Sequence, residues 1–223
     1  MAAPHHKAAD KALLMAAEEG NLTHVKTALA QGADVNAHDE EGATPLSVAI
    51  EQKWFDHDNL PIARALLKAG ASVDARDKDG STALMDASTL DWPAAARLLL
   101  LNGARIEARD NEGRTPLMNA AQGFMTEIGT RISASNAVGF LLTHGAQVNL
   151  RDKTGQTALI LAAKTDGGDE GNSQAAFESV RLLLSHGADP NIVSKNGNTA
   201  LKWARVRHHE GIVKLLSSRK QRA

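Results

Sequence analysis

The chain of 223 residues has no cysteine and no tyrosine, and its aromatic side chains are only three tryptophans and four phenylalanines. Without cysteine there are no disulfides, no cysteine-ligated zinc and no thiol nucleophile, so the fold rests on packing alone. So few aromatics leave little with which to stack unpaired bases. No apolar run approaches the roughly 20 residues a membrane helix needs. Met1 to Asp10 is polar, with neither a basic n-region nor an apolar h-region. The expected location is therefore the cytoplasm, with the periplasm or secretion as the alternative where a leader has been removed. Also missing are Gly-x-Ser-x-Gly, His-Glu-x-x-His and Gly-x-x-x-x-Gly-Lys-Ser/Thr. No catalytic residue, metal ligand or cofactor is expected.

What is present is repetition. The stretch Gly145-Ala146-Gln147-Val148-Asn149-Leu150-Arg151-Asp152-Lys153-Thr154-Gly155-Gln156-Thr157-Ala158-Leu159 has earlier counterparts beginning at Gly32, Gly70 and Gly103, and a later one beginning at Gly187. Each unit reads as two helices and a loop. Thr44 or Thr115 can accept from the first free N–H groups of a helix, and Pro45 or Pro116 follows where a proline loses no hydrogen bond. Leu46, Ala49 and Ile50, or Leu117, Ala120 and Ala121, share one helical face. A second helix carries the core runs Leu98-Leu99-Leu100, Phe140-Leu141-Leu142 and Leu182-Leu183-Leu184. The glycine after each run suits the left-handed residue that ends a helix.

Thr-Pro-Leu or Thr-Ala-Leu opening each unit, with Gly-Ala-x-Val-Asn closing it, resembles the ankyrin repeat family. The resemblance spans roughly residues 10 to 217. It implies an all-α ankyrin repeat solenoid of about six helix-turn-helix units with β-hairpin or loop fingers. The boundaries read as a frayed N-terminal tail 1–9, repeats 10–41, 42–79, 80–112, 113–154, 155–196 and 197–217, and a basic C-terminal tail 218–223. A stand-alone chain of this size resembles small bacterial ankyrin proteins.

Spacing between finger glycines locates departures from the usual period. Gly80 to Gly113 is 33 residues, Gly42 to Gly80 is 38, and Gly113 to Gly155 and Gly155 to Gly197 are 42 each. The surplus falls between the two helices of the second, fourth and fifth units, at 53–57, 124–132 and 166–174. Phe124, Ile128 and Ile132 recur at helical spacing, which predicts an extended or added helix. The run from Asp166 to Ser173 has no apolar residue and predicts a mobile loop. Asp166, Asp169 and Glu170 do not have the EF-hand spacing, and Asp56, His57 and Asp58 read as a solvated turn. Gly167-Gly168-Asp169-Glu170 matches a cyclase signature in letters only, without its strand context.

The resemblance further implies a non-enzymatic module that binds a protein through the concave surface made by fingers and first helices. Mapped onto this chain, that surface comprises His38, Glu40 and Glu41; Arg76, Lys78 and Asp79; Arg109, Asn111, Glu112 and Arg114; Arg151, Lys153 and Thr154; and Lys195. Ala43, Ser81, Gln156, Val193, Asn196 and Asn198 on the fingers, and Ser47, Glu51, Thr89, Gln122 and Lys164 on the helices, join them. Met85 and Met118, with Ile160, occupy one recurring position, either as an apolar stripe along the groove or as packing between helices. Trp203 replaces a family leucine and is expected to pack on the preceding repeat, while Trp54 in an insertion is a candidate interface anchor.

Net charge is −1, but residues 1–111 hold 11 Lys/Arg and 17 Asp/Glu, whereas residues 112–223 hold 14 and 9. The acidic first half argues against a nucleic acid partner. A monomer is expected, and the asymmetry admits head-to-tail self-association. The alternatives are a metal-dependent regulator or enzyme using the inserted loops, and a nucleic-acid binder using the basic C-terminal half.

Overall fold

The computed structural model describes residues 4–51, 59–125, 131–132, 135–165 and 170–220. The chain divides into two compact units, Met1–Ala87 with Ala94–Arg105, and Ser88–Pro93 with Ile106–Ala223. The first contains α1 (Pro4–Glu18), α2 (Leu22–Ala30), α3 (Pro45–Glu51) and α4 (Leu60–Lys68), together with most of α5 (Ala83–Thr89) and α6 (Pro93–Leu101). The second contains α7 (Pro116–Gln122), a two-stranded hairpin of β1 (Phe124–Met125) and β2 (Arg131–Ile132), α8 (Ser135–Thr143), α9 (Ala158–Lys164), α10 (Glu170–Ser185), α11 (Ala200–Val206) and α12 (Glu210–Lys220). Among the described residues the fold is an all-α succession of helix pairs carrying one short hairpin, as the ankyrin resemblance implies. No helix among the described residues is long and apolar enough to cross a membrane.

Helices pair within a repeat and then stack on the equivalent helices of the next. In the first unit α1 packs on α2 and α3, and α4 on α2 and α3. In the second, α9 packs on α7, α10 and α11, while α10 packs on α8 and α12. Apart from α1, which is longer than α2, the first helices are short and the second helices longer, and within each unit the two kinds form two layers. The seam between successive first helices is lined by Ala120, Ala121, Ala162, Ala163 and Ala204, all at most 4% exposed. A methyl group is all that fits where backbones approach so closely.

The helix starts follow the sequence. Thr115, Thr157 and Thr199 accept from the N–H of Met118, Ile160 and Lys202 at 3.4, 3.4 and 3.2 Å. Thr44 and Ser47 cap reciprocally, Thr44 N–H donating to Ser47 Oγ at 2.8 Å and Ser47 N–H to Thr44 Oγ1 at 3.3 Å. Thr82 departs from the pattern: its hydroxyl is buried without a partner, and the neighbouring Ser81 donates to Asp86 instead.

Four expectations are corrected. Residues 4–9, expected as a frayed tail, are helical and continuous with α1, and Ala9 is buried. At the other end α12 runs to Lys220, into the expected tail. The helical spacing of Phe124 and Ile132 is coincidental: Gly123 at φ 65° ends α7, and Phe124 then pairs with Ile132 across an antiparallel hairpin. Once the glycine has turned the chain, the i, i+8 relation becomes a cross-strand one. In the fifth unit α10 already begins at Glu170, so the second helix extends back into the stretch expected as a loop. Asp166 and Asp169, the Asp56–Asp58 turn and Trp54 lie outside the described residues.

Candidate functional site

The fingers are tight turns, each closed by the first residue of its tip. Asp110 Oδ1 accepts from the N–H of Glu112 and Arg114 at 2.9 and 2.8 Å, and Asp152 Oδ1 accepts from those of Thr154 and Gln156 at 2.8 Å each. Ser194 replaces the aspartate in the last finger and accepts from Asn198 N–H at 3.2 Å. Neighbouring tips are then joined by backbone: Lys78 N–H donates to Glu41 O at 3.0 Å in the first unit, and in the second Lys153 donates to Glu112 O and Lys195 to Thr154 O, both at 2.9 Å. The tip glycine makes this approach possible. A Cβ at Gly155, where φ is +78°, would stand 3.1 Å from Lys195 N and 2.8 Å from Arg151 Nη2.

A second set of links runs beneath the tips, from the last residue of Gly-Ala-x-Val-Asn. Asn36 accepts from Ser72 N–H at 2.7 Å, Asp74 from Arg105 N–H at 3.0 Å, Glu107 from Gln147 N–H at 2.6 Å and Asn149 from Asp189 N–H at 2.9 Å. Each ties one repeat to the next within its unit. The position accepts Asn, Asp or Glu because all three present a side-chain oxygen. Burial raises the Glu107 carboxyl above the usual range, opposed by the Gln147 hydrogen bond and the Arg109 charge.

On the finger face of the second unit lies a cleft of about 460 Å³. Asn111, Glu112 and Arg114 border it from one finger, Lys153, Thr154 and Gln156 from the next, and Ser194, Asn196 and Asn198 from the third. Lys164 at the end of α9 and Trp203 of α11 form its helical side. The Lys164 ammonium lies 5.3 Å from the Trp203 ring centroid and the Arg207 guanidinium 5.9 Å from it. Trp203 is half-buried. It does reach the preceding repeat, but at the cleft wall, and it is the functional candidate that sequence reasoning assigned to packing. The signal was an indole where the family has leucine.

The mapped residues divide into four groups. Asn111, Glu112, Arg114, Lys153 and Thr154 are brought together at this cleft, with Lys195 on its third finger. Arg114 pairs with Glu112 at 2.8 Å. Arg109 and Arg151 are exposed, yet their guanidinium groups are committed to the ladder. Arg109 donates to Gly113 O and Arg151 O at 2.8 and 2.9 Å, and Arg151 donates to Gly155 O at 3.2 Å and to Val193 O. Met85 and Met118 are a correction: they are 0% and 1% exposed, and Ile160 is 1% exposed. In these three repeats the position three residues after the threonine turns inward, whereas Lys202 at the same place in the last repeat is exposed, so Met85, Met118 and Ile160 are core and form no apolar stripe.

In the first unit His38, Glu40, Glu41, Arg76, Lys78 and Asp79 are all exposed, with Lys78 and Glu41 3.5 Å apart. Behind them is a concentration of carboxylates. Asp86 reaches solvent at its edge, but its carboxyl is deeply embedded; burial, then the Glu51 charge, push it well above the usual aspartate range, while the Ser81 hydroxyl, donating at 2.9 Å, acts the other way. Desolvation raises Glu51 as well, followed by Asp77 and Asp39.

A carboxyl raised on folding stabilises the fold fully below its unfolded value of 3.8, and that contribution is lost as pH rises through the raised pKa. Stability of the first unit should therefore decline from mildly acidic toward neutral pH. Asp86→Asn should remove part of that decline and raise the urea midpoint at pH 7. An Asp86→Asn protein with an unchanged pH profile would show that the carboxylate is ionised at no cost.

Among the described residues, no group of three or more histidines and carboxylates is placed to hold a metal ion. The family model of ankyrin repeats matches residues 2–77, 55–128 and 130–222. No curated protein matches the chain. Among solved structures, the ankyrin repeat domain ABAYE2397 from Acinetobacter baumannii AYE is 31% identical with a TM-score of 0.74, over 92% of this chain and 96% of that one. A chain from the complex of the predatory endopeptidase Bd0816 of Bdellovibrio bacteriovorus with the immunity protein Bd3460 is 30% identical, TM-score 0.73, over 93% and 97%. The ankyrin repeat protein EF0377 is 27% identical, TM-score 0.76, over 93% and 97%. Ankyrin repeats generally mediate protein–protein interaction without catalysis, and this chain belongs to the ankyrin repeat family.

Proposed function

We propose that the chain is a non-enzymatic interaction module that docks one protein partner on its finger and first-helix face, with the cleft of the second unit as a principal contact. The supporting observation is the ladder of backbone bonds between tips, 2.9 Å at each of two junctions in that unit. It holds three fingers in fixed register before any partner arrives, so little ordering cost attends docking. Trp203 and Arg114 at the cleft are of the residue types that dominate interface energetics. Because one related chain comes from a complex of an endopeptidase with an immunity protein, a hydrolase restrained by binding is the first partner class to try.

The test is affinity capture with the intact protein and with Asn196→Trp, which fills the cleft from an exposed rim position whatever the chemistry of its occupant. Dichroism should show both proteins equally folded. A stoichiometric partner captured by the first should be lost or weakened at least about tenfold, roughly 1.4 kcal/mol, by the second. Equal capture would exclude this face.

A further inference from the structure

The cleft of the second unit is polar, but its charges are unequal in availability. Glu112 is engaged by Arg114 at 2.8 Å. Asp152 is buried, and its Oδ1 receives the N–H of Thr154, the hydroxyl of Thr154 and the N–H of Gln156, each at 2.8 Å. Both carboxylates bordering the cleft are thus satisfied by the protein itself. Lys153 and Lys164 border the same cleft, and among the described residues neither has a carboxylate within ion-pair distance. Residues 193–209, which form the last finger and α11, contain four Lys or Arg and no Asp or Glu. The Lys164 and Arg207 cations lie 5.3 and 5.9 Å from the ring centroid of Trp203.

We infer that this cleft receives an extended acidic segment of the partner protein, its carboxylates meeting Lys153 and Lys164 and an aliphatic side chain lying against Trp203. The inference rests on the interaction-module reading and adds the chemistry of the occupant. Charge complementarity selects an anion. The aromatic wall and the row of amide and hydroxyl groups from Thr154, Gln156, Asn196 and Asn198 favour a peptide, whose backbone both donates and accepts, over a polyphosphate, which only accepts.

The probe is a short labelled peptide alternating Glu and Leu, compared with its Gln–Leu counterpart and with labelled oligothymidylate, by fluorescence anisotropy and tryptophan emission. The Glu–Leu peptide should bind at least about tenfold more tightly than the Gln–Leu peptide, and its affinity should fall as salt is added. The double variant Lys153→Gln with Lys164→Gln should abolish the difference, and Trp203→Phe should remove the emission change. Equal binding of the two peptides overturns the inference, as does full retention of binding by the double variant. Oligothymidylate binding as tightly as the Glu–Leu peptide would overturn it in favour of a nucleic acid. If neither peptide binds while Asn196→Trp still blocks partner capture, the surface stands and the acidic occupant is excluded; if Asn196→Trp changes nothing as well, the module reading fails with it.

Discussion

Gly155→Ala should destabilise the second unit by about 3 kcal/mol, combining roughly 1–2 for a side chain in the left-handed region with a comparable loss where the Arg151 hydrogen bonds are displaced. Gly197→Ala is the matched comparison. Gly197 is left-handed too, at φ +70°, but a Cβ there would meet nothing within 4 Å, whereas at Gly155 it would press on Lys195 N and Arg151 Nη2. The Gly197 variant should lose only the conformational part, roughly 1–2 kcal/mol. Melting temperatures should separate by the remaining loss, about 3–6 °C for a chain of this size. Equal losses at the two positions would mean that the finger ladder yields without resistance, and that its register is not fixed in advance of binding.

Met118→Ala should cost about 2–4 kcal/mol, because the side chain is 1% exposed and its removal leaves a cavity in the first-helix layer. Met118→Leu, which nearly conserves volume, should cost less than about 1.5 kcal/mol. At temperatures where the alanine variant is folded, its capture of partner should match that of the intact protein. Urea denaturation followed by dichroism, then capture, gives both quantities. Unchanged stability with lost capture would return Met118 to the binding surface and restore the apolar stripe that the residue pattern admitted.

The two predictions separate what was legible along the chain from what was not. Capping threonines, helix-ending glycines and leucine runs are local signals, since each states a conformation that its own neighbours can satisfy. Thr115, Thr157 and Thr199 therefore do what their spacing implies. The acceptor role of Asn36, Asp74, Glu107 and Asn149 was not legible, because its donor lies some thirty to forty residues away, at Ser72, Arg105, Gln147 and Asp189. Arg109 and Arg151 read as recognition residues for the same reason: an exposed arginine on a finger looks available until the carbonyls it reaches are known. The second insertion misled in a different way. Phe124 and Ile132 match a helix and a hairpin equally well at that separation, and the left-handed Gly123 decides between them.

The sequence by itself determined the family, the all-α repeat architecture, the finger tips and the absence of thiol chemistry. Each is written in short-range residue order and repeated, so that errors in one copy are corrected by the others. Tertiary structure alone decided which variable positions share a surface, which carboxylates are already satisfied, and that Met85 and Met118 are core. Those properties depend on where the stacked neighbour places its atoms. Asp152 and Lys153 are adjacent in the chain, yet one is buried under three hydrogen bonds while the other stands exposed at the cleft.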